Sequence, residues 1–208
     1  MAGRGADTKE RILDTAQALV LEKGFSATSL DDIIGATGLT KGAFFHHFRS
    51  KSDLARRLIE RFAANDFALF DEWSRRAETL ADDPYQAAVL FIKFFEEWLT
   101  NLPTPFAGCL FAAYVYEHDA FEADINAFVR SSFERWQGYY ERLFAAVLAE
   151  RRANIDITAR ELAETYVSTM EGAFILARAY KEPELIVRQS RFFREHLKLL
   201  FEDGAPAA

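Results

Sequence analysis

The side chains whose types and spacing can do chemistry are concentrated between Thr28 and Lys51. Cationic and polar groups in this stretch can donate hydrogen bonds to phosphate oxygens, and the small residues in its middle allow its backbone to approach another molecule closely. A glycine inside a helix costs roughly 1 kcal/mol relative to alanine, so Gly42 indicates a function. Ala43 beside it can touch a thymine methyl group. The phosphate donors are Lys41, His46, His47 and Lys51.

Two short helices joined by a tight turn are predicted to position these groups. Thr28 is expected to cap the first helix, because its hydroxyl can accept a hydrogen bond from a first-turn amide. Apolar residues then recur at helical spacing in Leu30, Ile33 and Ile34. Gly38 supplies the left-handed residue that ends this helix.

The second helix is expected to begin at the cap residue Thr40. Phe44 and Phe48 lie four residues apart and therefore on one helix face, which is directed toward the core. Ser50 is expected to cap a third helix with Asp53 as its capping-box partner. This is the pattern of a helix-turn-helix motif, whose second helix enters the DNA major groove. The same spacing also fits a helical hairpin in an ordinary bundle, with the glycine as a close-packing point.

The residue types favour the first of these interpretations. After the turn the chain has T-K-G-A-F-F-H-H-F-R-S-K-S-D-L, which resembles the recognition helix and the start of the fourth helix in the TetR family of transcriptional regulators. The preceding segment, R-I-L-D-T-A-Q-A-L-V-L-E-K-G-F-S-A-T-S-L-D-D-I, resembles that family's first and second helices. The resemblance covers about residues 8–55 and extends to spacing as well as residue type.

The resemblance implies a set of DNA contacts and also shows two departures. Position 45 is usually a tyrosine whose hydroxyl reaches a phosphate, and Phe45 lacks that hydroxyl. Asp31 stands where many relatives carry a basic residue, so no contact is carried over to it. The implied DNA contacts are Thr28, Ser29, Thr40, Lys41, Gly42, Ala43, Phe45, His46, His47 and Lys51.

The rest of the chain shows helical periodicity with no convincing strand pattern, so the fold class is all-α. A long helix from Ser52 is predicted to leave a three-helix DNA-binding head at residues 1–51 and to enter a second domain at residues 52–208. For this second domain the resemblance implies an antiparallel helical bundle, about nine helices in the whole chain, an effector pocket, and a homodimer formed through the last two helices. Such dimers bind two-fold operators with paired half-sites.

Aromatic residues make up 14% of the chain, which exceeds what a plain leucine and alanine core needs. We therefore predict a pocket for a small, largely apolar or aromatic effector, although core packing is the commoner reason for any single one of these residues. Glu117, His118, Asn126 and Glu171 are the polar groups that can orient such a ligand. The predicted lining residues are Phe91, Phe95, Trp98, Phe111, Tyr114, Glu117, Trp136, Tyr140, Tyr166, Met170 and Phe174.

Composition bounds the remaining possibilities. The net charge is −7, but residues 1–61 carry ten Lys and Arg against eight Asp and Glu, whereas residues 62–208 carry 15 against 24. The cationic bias therefore falls on the segment expected to meet phosphates. A single cysteine, Cys109, rules out an internal disulfide, and no apolar run is long enough to span a membrane, so a cytoplasmic location is predicted.

An enzyme is not supported. The sequence has no glycine-rich phosphate loop, no H-E-x-x-H and no Cys/His cluster at metal spacing, and it predicts neither a metal nor a cofactor. The adjacent pairs Glu96–Glu97 and His46–His47 diverge on a helix. The resemblance instead implies a ligand-responsive transcriptional regulator, a repressor released from its operator by an effector. Two alternatives remain: a thiol- or electrophile-sensing regulator that uses Cys109 at a helix start, and a helical protein-binding adaptor that does not bind DNA.

Overall fold

The structure is a computed structural model that describes residues 4–201, with side chains from Asp7 onward. Within this range it contains nine α-helices, a short 3₁₀ turn at His118–Ala120 and no strand, so the all-α prediction is confirmed. No helix of the described range combines the length and the apolar character that crossing a membrane requires. The helices are α1 (Arg4–Lys23), α2 (Leu30–Thr37), α3 (Lys41–His47), α4 (Lys51–Leu80), α5 (Pro84–Thr100), α6 (Leu110–Tyr116), α7 (Ala123–Glu150), α8 (Ala159–Tyr180) and α9 (Glu184–Phe201).

The helices form two compact units. The first combines the chain up to Asp66 with Cys109–Ser132, and the second combines Phe67–Gly108 with the chain from Phe133 onward. Helices α4 and α7 contribute residues to both units. This division differs from the predicted boundary after residue 51, because α6 packs against α1 and Asp124 at the start of α7 pairs with Arg56 of α4.

In the first unit, α1 packs against both α2 and α6. The interior is formed by apolar residues at helical spacing, among them the fully buried Ile12, Phe44 and Phe48. Arg61 of α4 fixes the outer side of α1, since its Nη1 donates to Asp14 at 2.7 Å and to Glu10 at 3.0 Å. The helix-turn-helix segment therefore packs its buried phenylalanines into the close-packed apolar interior of this unit.

In the second unit, α9 packs against α5 and α8. A buried polar network joins these helices: the Glu96 carboxylate accepts from Arg194 Nε at 3.1 Å and from Arg194 Nη2 at 3.3 Å. Ser190 lies 3.5 Å from Glu96 and 3.2 Å from the Tyr166 hydroxyl. Removing one partner of such a buried pair is costly, so this network fixes the position of α9.

Candidate nucleic-acid interface

Helix α3 is held by local caps and by two buried phenylalanines. Gly38 adopts φ 65°, which ends α2 in the left-handed conformation as predicted. The hydroxyl of Thr40 then accepts from the Ala43 amide at 3.2 Å and begins α3. Phe44 and Phe48 are fully buried, with ring centroids 5.5 Å apart. These contacts leave the opposite face of α3 directed outward.

The outward face of α3 presents small, cationic and imidazole groups. A Cβ added at Gly42 would meet only Thr40 Oγ1, at 3.9 Å, so the glycine is not required by packing within the described chain. Phe45 is 50% exposed and contacts Phe44 edge-on. The exposed residues of this face are Thr40, Lys41, Gly42, Phe45 and His46, and Ala43 and His47 are half-buried beside them.

Thr28 does not have the predicted role. The residue that caps α2 is Ser29, whose hydroxyl accepts from the Asp32 amide at 3.0 Å, while the Asp32 carboxylate accepts from the Ser29 amide at 2.8 Å. Thr28 is buried, and its hydroxyl donates to the Gly24 carbonyl oxygen at 2.7 Å. It is therefore a packing residue of the α1–α2 turn, and its side chain cannot contact DNA in this conformation.

Lys51, predicted to donate to phosphate, is directed toward its own chain. Its Nζ donates to the Phe25 carbonyl oxygen at 2.7 Å and lies 4.3 Å from the centroid of the Phe25 ring. Burial lowers the pKa of Lys51, and the nearby negative charge of Glu117 opposes that shift. Because an ammonium group has three donors, two remain for an external oxygen.

Two aspartates at the start of α2 bind lysines. Lys41 lies 2.9 Å from Asp31, and both side chains are largely exposed. Lys23 lies 2.8 Å from Asp32, and this ion pair together with the Ser29 amide holds the pKa of Asp32 below its usual range. Asp31 therefore forms an ion pair with Lys41, the lysine that the sequence predicts to bind phosphate.

Glu117 holds the turn between α1 and α2. Its Oε1 accepts from the Phe25 amide and its Oε2 from the Ser26 amide, each at 2.7 Å, across 92 and 91 residues of sequence. Gly24 has φ 87°, and a Cβ there would lie 2.5 Å from Glu117 Oε1. Both oxygens of Glu117 are therefore engaged by backbone in the first unit, which corrects its predicted role as a ligand-orienting group.

The environment of Glu117 favours its charged form. Burial alone would raise its pKa, but hydrogen bonds from Ser26 and Phe25 and the charge of Lys51 outweigh burial, so the pKa lies below the ordinary 4.5. A carboxyl group with a depressed folded-state pKa stabilises the fold above its unfolded-state pKa. That stabilisation is lost as the pH falls below about 4.5 and through the folded-state pKa.

The Glu117→Gln variant should therefore be less stable than the wild type at pH 7, by about 1–2 kcal/mol, because a neutral amide offers one acceptor oxygen and no charge to two backbone amides. Urea unfolding at pH 7 and at stepwise lower pH measures the difference, which should shrink as the wild-type carboxyl becomes protonated. Glu150→Gln, at an exposed carboxylate of α7, is the control and should show no such difference. A pH-independent deficit in Glu117→Gln would contradict the assigned role.

Phe111 and Tyr114, which were predicted to line the effector pocket, lie in the first unit. Both are fully buried in the first unit. The Tyr114 hydroxyl donates to the Ala55 carbonyl oxygen at 2.8 Å, and its ring stacks on Phe121 at 4.2 Å. Phe111 packs edge-on against Phe62 at 5.2 Å. The Tyr114 hydroxyl has a hydrogen-bond partner within the chain, and both rings pack against other rings of this unit, so Phe111 and Tyr114 are core residues.

The other predicted pocket residues lie together in the second unit. Ring contacts connect them, as between Tyr140 and Tyr166 at 4.7 Å and between Phe91 and Tyr140 at 5.8 Å. All are buried except Trp98, which is half-buried. They fill space against one another, so in this conformation they form an aromatic core. The residues concerned are Phe91, Phe95, Trp98, Trp136, Tyr140, Tyr166, Met170 and Phe174.

Two cavities of this unit include residues that the sequence did not single out. One, of about 540 Å³, is lined by Phe91, Tyr139 and Arg142 among others. The other, of about 570 Å³, lies between the end of α5, the following loop and α9. Phe106 lines this second cavity and contacts Trp98 at 5.6 Å and Phe174 at 5.2 Å. Both cavities are within the size range of ligand sites.

The remaining candidate groups, Cys109, His118, Asn126 and Glu171, are buried, half-buried or in contact with nearby residues of the chain. Cys109 precedes α6 and is buried, so a thiol reagent reaches it only if the surrounding chain opens. His118 pairs with Asp119 at 2.9 Å, and the Asn126 amide donates to the His118 carbonyl oxygen at 3.0 Å. Glu171 is a half-buried residue of α8. Among the described residues no group of three or more His, Cys, Asp or Glu is arranged to hold a metal.

Comparison with known proteins relates an N-terminal segment and most of the remaining chain to transcriptional regulators. Residues 12–58 match the family described as bacterial regulatory proteins, tetR family. Residues 84–191 match a domain described as transcriptional regulator LmrA/YxaF-like, C-terminal domain. The transcriptional regulator AcuR of Cereibacter sphaeroides is 30% identical over 175 residues, which span 84% of this chain and 78% of that protein.

Solved structures share the fold. A TetR-family transcriptional regulator from Agrobacterium tumefaciens has a TM-score of 0.76 at 23% identity, over 93% of this chain and 98% of its own. The regulatory protein TetR from Rhodobacter sphaeroides has a TM-score of 0.73 at 28% identity, over 90% of this chain and 97% of its own. These similar proteins are regulators and not enzymes, in agreement with the sequence prediction.

Proposed function

The chain belongs to the TetR family of bacterial transcriptional regulators, whose members bind DNA, and on that premise we propose that it is a ligand-responsive repressor. In this proposal the protein occupies a two-fold operator as a homodimer, and a small, largely apolar or aromatic effector releases it. The observation that carries the proposal is the open outward face of α3, where a glycine that packing in the described part of the chain does not require stands beside cationic and imidazole groups.

The DNA contacts are proposed from that face. Gly42 and Ala43 would let the α3 backbone approach the base edges, and Ala43 would touch a thymine methyl. Lys41 and the histidines would donate to phosphates, and Lys51 would add its two remaining donors. Phe45, with half of its surface exposed, would replace the usual tyrosine contact by apolar contact with the sugar-phosphate backbone. The proposed contacts are Ser29, Thr40, Lys41, Gly42, Ala43, Phe45, His46, His47 and Lys51.

An apolar surface on α8 and α9 supports the proposed homodimer. Apolar side chains that are 40–66% exposed occur on both helices. Where such residues form one contiguous patch, they mark an interaction site. A second copy of the same chain is the proposed occupant, because a single head makes too few contacts for tight specific binding. The exposed residues are Ile175, Leu176, Tyr180, Phe192 and Leu199.

The chain connection from the loop after α5 through α6 to Glu117 supports a response of DNA binding to an effector. The loop after α5 lines one cavity and continues directly into α6. The residue that follows α6 is Glu117, whose carboxylate holds the Phe25 and Ser26 amides just before α2. A ligand that moved the loop would pull on this connection and change the position of the turn. Operator and effector would then favour different conformations, which is the requirement for coupled binding.

The proposal is tested by enriching genomic fragments on the purified protein at low salt and mapping the protected bases. The expected result is a two-fold site whose affinity falls steeply with salt, because phosphate contacts release counterions. No retained fragment at low salt would favour the protein-binding adaptor instead.

The enriched operator allows a charge test at Asp31. Asp31→Asn removes the carboxylate that lies 2.9 Å from Lys41, so DNA affinity should rise by roughly two- to fivefold, for operator and random DNA alike, as expected for one exposed ion pair. Fluorescence anisotropy at low and moderate salt measures the change, which should shrink as salt increases. The exposed Asp156→Asn removes the same charge from a loop of the second unit and is the control. Equal gains in both variants would contradict a specific role for Asp31.

A further inference from the structure

The cavity between α5, its following loop and α9 has an apolar wall and a cationic rim. Leu99, Leu102, Phe106, Ile186 and Val187 contribute to the wall. Two arginines, Arg188 and Arg191, and one carboxylate, Glu184, are its charged lining residues. A volume of about 570 Å³, with apolar side chains and a few charged groups in its lining, is within the size range of small-molecule sites.

The two arginines differ in availability. Arg188 Nη2 lies 3.2 Å from Glu182 and is thereby neutralised. Arg191 forms no ion pair with any described residue. The pKa of Glu195, one turn further along α9, is lowered mainly by Lys198 and less by Arg194 and Arg191, and its carboxylate is bound by Lys198 at 2.8 Å and by Arg194 at 3.2 Å. Arg191 is therefore the available cation of this cavity.

From this arrangement we propose that the cavity binds an amphipathic monocarboxylate, with its apolar body against Phe106 and Val187 and its carboxylate on the Arg191 guanidinium. A guanidinium matches a carboxylate through two parallel hydrogen bonds, so the site prefers a carboxylate to a neutral alcohol or an amine of the same length. Since Arg188 is paired with Glu182, the charge at the proposed carboxylate position is that of Arg191, which repels the ammonium group of an amine.

This inference rests on the proposed function, because it makes the amphipathic carboxylate the effector class. The lining loop continues into α6, and the other wall is the first half of α9, which carries the exposed Phe192. A molecule wedged between loop and helix therefore contacts the segment that leads to Glu117 and the helix proposed to form the dimer. Occupation of the cavity is expected to lower operator affinity.

The test uses octanoate, octan-1-ol and octylamine as probes in isothermal titration calorimetry with the full chain. Octanoate is expected to bind about tenfold more tightly than octan-1-ol, with octylamine weakest, as one charge-assisted interaction implies. Arg191→Gln should reduce octanoate affinity to that of octan-1-ol and leave octan-1-ol unchanged. Val187→Trp, which fills the cavity, should remove binding of both probes.

Arg152→Gln is the matched control, because Arg152 is exposed outside the cavity and forms no ion pair with a described residue. Equal affinities for octanoate and octan-1-ol, or an Arg191→Gln variant that binds octanoate like the wild type, would overturn the proposal. So would the same loss in Arg152→Gln. Since Arg191 is a surface residue, its variant tests the site even where Val187→Trp does not fold.

Operator release is measured separately by anisotropy with the same probes. Octanoate that binds at Arg191 without releasing DNA leaves the carboxylate site in place and contradicts effector coupling. Release of DNA by another molecule, with no octanoate binding, contradicts the carboxylate site and leaves the repressor proposal in place. The two failures are thus distinguishable.

Discussion

The Gly42→Leu variant is expected to lose sequence-specific DNA binding while its protomer folds at least as stably as the wild type. A Cβ at this position meets only Thr40 Oγ1 at 3.9 Å, so the new side chain has room on the protein surface. Leucine is the better helix former by roughly 0.8 kcal/mol. Its side chain would stand where the α3 backbone is proposed to meet the base edges. Operator affinity should fall to that of random DNA, a loss on the order of 1000-fold.

Gly35→Leu is the control that isolates this effect. Gly35 is an exposed glycine of α2 in the same motif, and a Cβ there meets nothing within 4 Å. Both variants should gain thermal stability, and only Gly42→Leu should fail to bind the operator by anisotropy. If Gly42→Leu bound the operator like the wild type, α3 would not be the groove-entering helix. Equal losses in the two variants would point to a general surface effect.

The helices around this site were predictable because their signals are local. Gly38, Thr40 and Ser50 mark helix ends through hydrogen bonds that span three or four residues, and the structure shows these ends. The phenylalanines of α3 are four apart, and this spacing alone places them on one buried face. Local capping and periodicity therefore determine most of the helix-turn-helix segment.

The cap of α2 shows where local signals become ambiguous. Thr28 is followed three residues later by Asp31, and Ser29 by Asp32, so both pairs satisfy the capping-box spacing. The choice of Ser29 depends on Thr28 being buried and donating to the Gly24 carbonyl oxygen. Burial of that kind is a tertiary effect, which neighbouring sequence does not encode.

Glu117, Lys51 and the aromatic residues were not predictable for the same reason. The amides bound by Glu117 are 91 and 92 residues away, and the carbonyl bound by Lys51 is 26 residues away. Buried aromatic rings are required both by a core and by a pocket wall, so residue type does not distinguish the two. Only the packing of Tyr114 on Phe121 shows that it belongs to the core of the first unit.

A second large effect is expected from Gly172→Arg, which should convert the protein to a monomer. Gly172 is half-buried on α8, on the face opposite to the buried Tyr166 and Met170, and a Cβ there meets nothing within 4 Å. The Cβ of an arginine at this position therefore meets no atom of the described chain. Exposed Ile175 and Leu176 lie on the same side, where the partner helices are proposed to pack closely. A long cation in that contact would be buried without a counter-charge, which is unfavourable by several kcal/mol.

Loss of the dimer should remove most of the operator affinity, because the second head would no longer be tethered beside the first. Tethering raises overall affinity by roughly 100- to 10,000-fold, so Gly172→Arg should bind the full operator only as weakly as it binds a single half-site. Light scattering during size-exclusion chromatography gives the mass, and anisotropy gives both affinities. Ala149→Arg places the same side chain at an exposed position of α7 and should remain dimeric. A dimeric Gly172→Arg that binds the operator normally would show that α8 lies outside the interface, and the exposed residues of α9 would then have to form it without this helix.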